Sequence, residues 1–563
     1  MGKIAWTVQS NNENSGVDHL GMRVAGEQAY SKMIDFNTTV AWRPRYFSLF
    51  CWLTRYAFKI AGGNSNLETN NVDIKLYQRI IKHVEYLIAA ATLLAEKSVT
   101  RIAGSTKILE EIARASKQGN ETISIKGDHL RAPTGGLSIY GGPLHALNLL
   151  ATSAGVDIPL PGSKGDYLAN SFERSVNRHP DFFKAITAPE VQMSELIQIG
   201  MYCNLHNIAQ SAKTDPQVNE ELELLRDCIL DWNHFRGGSG PSARRIMTVG
   251  LILESRRMLK NETSSLDRFR ELTLLRAVMI EGEIIQLNLP NSYNNILDEW
   301  QAYQIHAYTT FALEALLGAL LYQGFELQDA LGDKLTQEML VLSAIDSISP
   351  GALKSSISLH SDLENWWELG LGELKDKLLN LVKEKRIANN VEPEFMAAIE
   401  LNTKKIDTAN FSVWIHDAAF MFLLVQVRQL DFYKNTDKAT WLGSEEEFRL
   451  PPKILVKHFN LHLEKGSNVK EFLTFVLNKL VLSQHETNAL RKLMFQPTQD
   501  TSKFIKQGSG FQHLSNHIPG TSNPRYDNTI MYLQDLGFLT YDNKPVPTKD
   551  GDLLVEDIKR LSH

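Results

Sequence analysis

The stretch DLGFLTYDNKPVPTKDGDLL, residues 535–554, decides how the chain is read. Just before and at its start, Ile530, Leu533 and Leu536 recur every third residue, which gives a helix one apolar side. Gly537 can end that helix, because glycine enters the left-handed conformation of a C-terminal cap without steric cost. FLTYDNKPVP then reads as two short extended pieces around an Asp542-Asn543 turn. Its prolines confine it to an edge hairpin, since proline cannot donate to an inner ladder. Thr548 and Asp550 cap a closing helix with Leu553, Leu554, Ile558 and Leu561 on its buried side. Helix, hairpin and helix in this order match the recognition helix, wing and last helix of a winged-helix domain. Upstream, Pro524 suits a first helical turn after Ser522 or Asn523. VKEFLTFVLNKLVLSQHETNALRKLM, residues 469–494, supplies one or two earlier helices.

Working outward, LGSEEEFRLPPK (442–453) marks a boundary, because an acidic run followed by two prolines breaks a helix. Residues 451–563 hold 14 Lys and Arg against 11 Asp and Glu, whereas the 563-residue chain carries a net charge of −6. Residues 451–563 are thus expected to be mildly basic on an acidic body. In that body, Tyr77, Ile80, Ile81, Val84, Leu87 and Ile88 keep the spacing of one helix face. RPRYFSLFCWLTRYAFKI (43–60) predicts a core-facing helix with solvated arginines. Thr187 is expected to cap a helix in TAPEVQMSELIQIGMYC, with Pro189 in its first turn. Leu313, Leu316, Leu317, Leu320 and Leu321 form a stripe on a helix over 295–323 that Gly324 would close. Gly- and Pro-rich TGGLSIYGGPLHAL and IPLPGSKGDY fall in a loop-rich connection. The fold class is therefore mainly α: a multi-helical body with a C-terminal winged-helix (α+β) domain. Its parts are an N-terminal helical domain at 1–118, the connection at 119–166, a central helical domain at 167–441 and the last domain at 442–563.

Hydrophobic residues make up 43% of the chain, enough for a sizeable core. A net charge of −6 gives no whole-protein attraction to nucleic acid or membrane, so any basic surface must be local. Cys51, Cys203 and Cys228 lie far apart and form no CxxC pair, which argues against a disulfide framework or a cysteine-based zinc site. MGKIAWTVQSNNENSG lacks a hydrophobic signal core. FALEALLGALLY and AAFMFLLVQV fall short of the roughly 20 apolar residues of a membrane span. A cytoplasmic location without membrane contact is expected.

Chemistry is hard to find. His458 with His462, and His513 with His517, stand four apart and would share a helix face, but neither pair is an HExxH motif or has a third ligand in view, so no metal is assigned. His416-Asp417, with His360 before and Asp431 after, echoes the H…HD…D order of helical metal-dependent phosphohydrolases. No P-loop, GxSxG motif or dinucleotide fingerprint is present, and no cofactor is expected. FRGGSGPSARR (235–245) opens a helix at Pro241, and a helix N-terminus can hold phosphate. Arg236, Arg244, Arg245, Arg256 and Arg257 make this segment the main internal candidate for contact with DNA or an acidic partner, Arg245 and Arg256 falling on one helix face. At the C-terminal end Arg525, Tyr541 and Lys544 are the candidate contacts, Arg525 at the helix entry and the other two flanking the wing turn. Asp527 and Asp535 on the same helix weigh against pure phosphate binding.

GVDHLGMRVAGEQAYSKMIDFNTTVAWRPRYFSLFCWLTRYAF (16–58) resembles the start of a group of large bacterial defence-island proteins, in which a "LG…R…E..Y" helix leads into a "R.RYFS..CW" helix. Leu20, Gly21, Arg23, Glu27, Tyr30, Arg45, Tyr46, Phe47, Ser48, Cys51 and Trp52 carry those marks, and the C-terminal "NPR…LQDLGFLT…PTKDG" is also similar. The resemblance covers about a quarter of the chain and includes no catalytic residue. It implies an accessory subunit beside an SMC-like ATPase or a nuclease, as in Lamassu-type systems against phages and plasmids. The expected function is a non-enzymatic subunit that links such a protein partner to double-stranded DNA. The alternatives are an HD-type phosphohydrolase or nuclease built around His416 and Asp417, and a DNA-binding transcription regulator.

Overall fold

A computed structural model describes residues 18–63, 72–96, 99–152, 158–231, 240–263, 265–281, 283–348, 363, 365–383, 391–404, 408–434, 450–495, 500–508, 510–521 and 525–561. It is mainly helical, and the strands among the described residues are three or four residues long and form four two-stranded sheets. Two compact units divide the chain. One gathers Met1–Tyr30, Asp267–Leu289 and Asn294–Pro524; the other gathers Ser31–Leu266, Pro290–Tyr293 and Arg525–His563. The cuts differ from the four consecutive segments read from the sequence: residues 525–563 belong with 31–266, and residues 450–521 with the long helices of the other unit.

In the unit holding Ser31–Leu266, the helix Ile74–Ala95 forms on the spacing of Tyr77, Ile81, Val84, Leu87 and Ile88, all buried, and Asp73 caps it by accepting from Leu76 N–H. Its alanine run, Ala89–Ala91, lets the helix Met193–Cys203 approach closely. A Cβ on Gly200 would lie 2.4 Å from the Ala91 carbonyl oxygen, so only glycine fits there. The helix Arg45–Ile60 places Trp52 against Tyr56, Phe172 and Phe182. Arg43 and Arg45 are not solvated, as the sequence suggested, but about 1% exposed. Thr187 ends the short helix Phe182–Thr187 rather than starting one, and the next helix begins at Met193 after the strand Glu190–Gln192. The span 119–166 contains the helix Leu137–Ala146 and three short strands as well as loops.

In the other unit the helix Asn294–Leu331 runs straight through Gly324, whose missing Cβ makes room for the Phe511 ring rather than for a cap. Nearly every side chain from Ala302 to Leu321 is buried, the polar Gln304, His306 and Glu314 among them. Thr408–Lys434 packs on it, with Trp414 against Gly318. Two helices, Asn291–Lys334 and Asn410–Leu430, are long and apolar enough to cross a membrane, but 89% and 83% of their apolar windows are buried inside the protein. The 469–494 stretch becomes a helix, an eight-residue π-helical segment at Val476–Ser483 and a second helix, Gln484–Phe495.

Candidate functional site

The opening stretch adopts its predicted local order. A helix spans Tyr526–Asp535, Gly537 takes φ 76°, Leu539 bridges Pro547, and a helix spans Lys549–Leu561. Thr548 caps the last helix through Gly551 N–H (3.2 Å). Residues 522–524, including Pro524, lie outside the described residues, and Arg525 precedes the helix in a left-handed conformation.

The polar side chains of this helix are used inside the protein. Asn528 donates to the Thr38 carbonyl (2.6 Å), and Thr529 Oγ1 accepts from Asn37 (3.1 Å). Arg525 donates to the carbonyls of Ile34 (3.2 Å) and Asn37 (2.5 Å) and to Ser31 Oγ (3.1 Å). Gln534 donates to the carbonyls of Thr540 and Asp542. At the helix end Asp535 meets Arg43 at 3.0 Å, each side chain 1% exposed, and also accepts from Asn207 N–H (3.1 Å). Arg43 donates further to the Thr100 carbonyl (2.8 Å) and to Tyr541 Oη (3.1 Å). Tyr541 Oη also meets His206 Nε2, and His206 Nδ1 faces Glu96 at 3.0 Å. Beside this junction Arg45 forms a bidentate pair with Glu221 (3.1 and 2.9 Å). Burial opposes charge on Arg45, but Glu221 keeps its guanidinium pKa above the ordinary value.

The candidate contact residues are thus mostly spoken for. Arg525 is a structural clamp, and Tyr541, 46% exposed, has its hydroxyl engaged. Lys544 is exposed, with its backbone N–H on Asp542 Oδ1 (2.7 Å). Of the internal arginines, Arg236 lies outside the described residues. Arg244 is half-buried and has interactions within the protein. Arg245 forms a bidentate pair with Asp35 (2.6 Å on both nitrogens) and donates to the Ile229 carbonyl. Arg256, fully buried, donates to the carbonyls of Pro545, Leu259 and Glu262. Arg257 pairs with Glu254 and Asp552. Arg245 and Arg256 do share a helix, as read, but the shared face turns into the core, where a cation needs internal acceptors.

Among the described residues the candidate histidines likewise meet partners within the protein. His416 Nε2 accepts from Trp366 Nε1 (2.8 Å) and its Nδ1 faces Asp417 Oδ1 (3.3 Å), both residues being buried. Burial pushes the Asp417 carboxyl above its ordinary value, with His416 pulling the other way. His360 and the Asp431 side chain lie outside the described residues. His458 and His462 pack against Phe475, each with ring centroids 4.9 Å apart, and His462 Nδ1 meets Ser467 Oγ (3.0 Å). His513 ends a strand rather than opening a helix, so it shares no helix face with His517. Among the described residues no group of three or more His, Cys, Asp and Glu side chains has the geometry to hold a metal ion.

A second polar cluster, in the other unit, went unread in the sequence. The helix Gln484–Phe495 grips residues 18–20 by their backbone. Gln484 donates to the Leu20 carbonyl (3.0 Å), His485 to that of His19 (3.2 Å), and Asn488 and Lys492 to that of Asp18 (2.6 Å each). Asp18 accepts from Met22 and Val24 N–H, and Arg23 forms an ion pair with the buried Glu314. The His19 ring lies 4.4 Å from His517 and 5.5 Å from His485, centroid to centroid. Burial, with the charges of His517, Lys503 and Lys492, pushes His485 down to about 3 and His19 lower still. Burial favours the protonated form of Glu314, yet His517 and Arg23 hold its carboxyl below the ordinary range. The available signal was the run of polar residues on the inward side of an amphipathic helix, at 484, 485, 488 and 492.

Comparisons with protein-family models, curated proteins and solved structures found no match.

Proposed function

We propose that this chain is a non-enzymatic, cytoplasmic subunit of a bacterial DNA-targeting defence complex, bound to an SMC-like ATPase or nuclease. In this reading, residues 525–561 are the helix, wing and closing helix of a winged-helix end. That end is built into the protein rather than free to read DNA, and the complex reaches DNA chiefly through the partner. One observation carries the proposal. The two stretches that resemble defence-island subunits, 16–58 and the C-terminal one, meet in a buried junction through Arg43–Asp535 and Asn37–Thr529, 492 residues apart in each case. Two unrelated chance likenesses would have no reason to meet in space; two parts of one structural core would.

The test is co-expression with the products of the genes flanking its own, with the affinity tag on this chain, an SMC-like ATPase or nuclease being the expected partner. A stable complex is expected, and it should retain DNA in a salt-dependent way that the isolated chain does not match. The reading is overturned if no such partner co-purifies while the isolated chain cleaves DNA with Mg²⁺ or Mn²⁺ and loses that activity in His416→Ala.

A further inference from the structure

The helix Ile74–Ala95 buries Tyr77, Ile81, Val84, Leu87 and Ile88, so the opposite side of its first half faces outward. Lys75, Arg79 and Lys82 fall on that side, within about 60° of arc and over about 10 Å of helix axis. Lys75 and Arg79 are exposed and Lys82 is half-buried. The loop 126–136 rests on the helix where the stripe ends. A Cβ on Gly127 would lie 3.1 Å from His83 N, and one on Gly135 would lie 3.4 Å from Lys82 Cγ. Between those two points the loop carries Arg131, also exposed.

Among the described residues these four cations form no ion pair or hydrogen bond through their side chains. Arg79 stands four residues from Lys75 and three from Lys82, the spacings at which like charges on a helix repel. The acidic groups nearby are engaged or turned away. Asp73 caps the helix through Leu76 N–H (3.0 Å), and Glu85 is buried and accepts from Gly136 N–H (2.7 Å). Glu111 meets Arg114 and Lys126. Asp128 is the exposed acid of the loop, with Lys107 on its carbonyl (2.8 Å). The stripe thus differs from Arg244, Arg245, Arg256 and Arg257, all engaged inside the protein.

We propose that this stripe is a contact for the phosphate backbone of double-stranded DNA, independent of base sequence and weaker than the partner's hold. Unpaired cations suffice for such binding, because each phosphate they neutralise releases condensed counterions. A protein partner would call for aromatic or apolar side chains at the centre of the contact, and a membrane surface for an apolar face beside the cations. Ile74, 48% exposed, is the one large apolar side chain that this helix presents. The choice of duplex DNA among polyanions rests on the DNA-targeting reading above. The test uses the isolated chain, so its outcome is separate from that of co-purification.

The experiment is titration of the full chain against a fluorescent duplex over a salt series, read by anisotropy. Four cations on four phosphates give a slope of log K against log salt of about −3.6. Lys75→Ala combined with Arg79→Ala should bring the slope to about −1.8 and weaken binding at least about tenfold at the lowest salt. Both sites are exposed, so the melting temperature should barely move. Lys213→Ala combined with Lys549→Ala removes the same charge from two other exposed positions and should change neither slope nor affinity. A second duplex of unrelated sequence should bind equally. No binding at the lowest salt, a slope left unchanged by the stripe variant, or an equal loss in the control variant would each overturn the proposal. So would tighter binding to vesicles of anionic lipid than to the duplex, which would make the stripe a membrane contact.

Discussion

Residues near the start of the chain meet residues near its end in two places, with two different chemistries. In one unit Arg43 and Asp535 form an ion pair, both buried, inside a ring of further donors and acceptors, and burial raises the Asp535 carboxyl above its ordinary value against the pull of Arg43. In the other, Asp18 and His19 are held by their backbone carbonyls, and the surrounding imidazoles His19 and His485 stay neutral through burial. The first joint is specific and rigid, because a buried charge tolerates only its own partner. The second reads backbone rather than side chains and so depends on the protonation state of the groups around it. One should be fragile to substitution and the other to acid.

The largest effect should come from breaking the charged joint. Asp535→Ala leaves Arg43 buried without its counter-ion and should cost about 3–5 kcal/mol in urea unfolding. Arg43→Met combined with Asp535→Leu should cost less than either charge deletion alone. If the double change is as damaging as the sum of two single ones, the pair is not coupled and the comparison fails.

The neutral joint should respond to pH. His485 has a folded pKa of about 3 against 6.5 in the unfolded chain, and His19 lies lower. The unfolded chain therefore takes up protons first, so stability is complete above about pH 6.5 and falls as pH drops towards 3. Each histidine should remove up to about 1.4 kcal/mol per pH unit in that window, roughly 2 kcal/mol each by pH 5. Lys492 and Lys503 add to the penalty for charging His485, while Glu314, held below the ordinary carboxylate range by His517 and Arg23, stays ionised until lower pH. His485→Gln should flatten the dependence, and an urea midpoint unchanged between pH 7 and 5 in the wild type would remove the distinction between the two joints.

What the sequence disclosed follows the same division. Periodicity located the helix Ile74–Ala95 and the order helix, hairpin, helix at the C-terminal end, because burial on one side leaves a local mark. It could not say what covers that side. Arg245 and Arg256 share a face as read, but their acceptors are Asp35 and a carbonyl at Pro545, far away in sequence. A cation on a helix face looks the same on paper whether it meets phosphate, water or a buried carboxylate. Gly324 failed as a cap for a related reason: the demand for a glycine comes from the Phe511 ring, 187 residues later, and not from the backbone around it. For the 18–20 grip only the donor side leaves a mark, the polar run at 484, 485, 488 and 492, because the backbone carbonyls it holds have no sequence signature.

The smallest effects test whether any of the C-terminal surface remains for a partner. Arg525→Ala removes the donors serving two backbone carbonyls and a hydroxyl, and should cost about 1–3 kcal/mol, the range for stranding partly buried polar groups. Lys544→Ala should change stability by no more than about 0.5 kcal/mol, since the side chain is exposed and the turn is held by its backbone N–H. Tyr541→Phe separates the two cases: it keeps the exposed ring and deletes only the hydroxyl shared by Arg43 and His206. If the wing tip contacts the proposed partner, Lys544→Ala should weaken co-purification at unchanged melting temperature, whereas Tyr541→Phe should lower the melting temperature and leave co-purification intact. If both variants bind as the wild type does, the wing is only the outer edge of the charged joint, and the partner must meet another face of the protein.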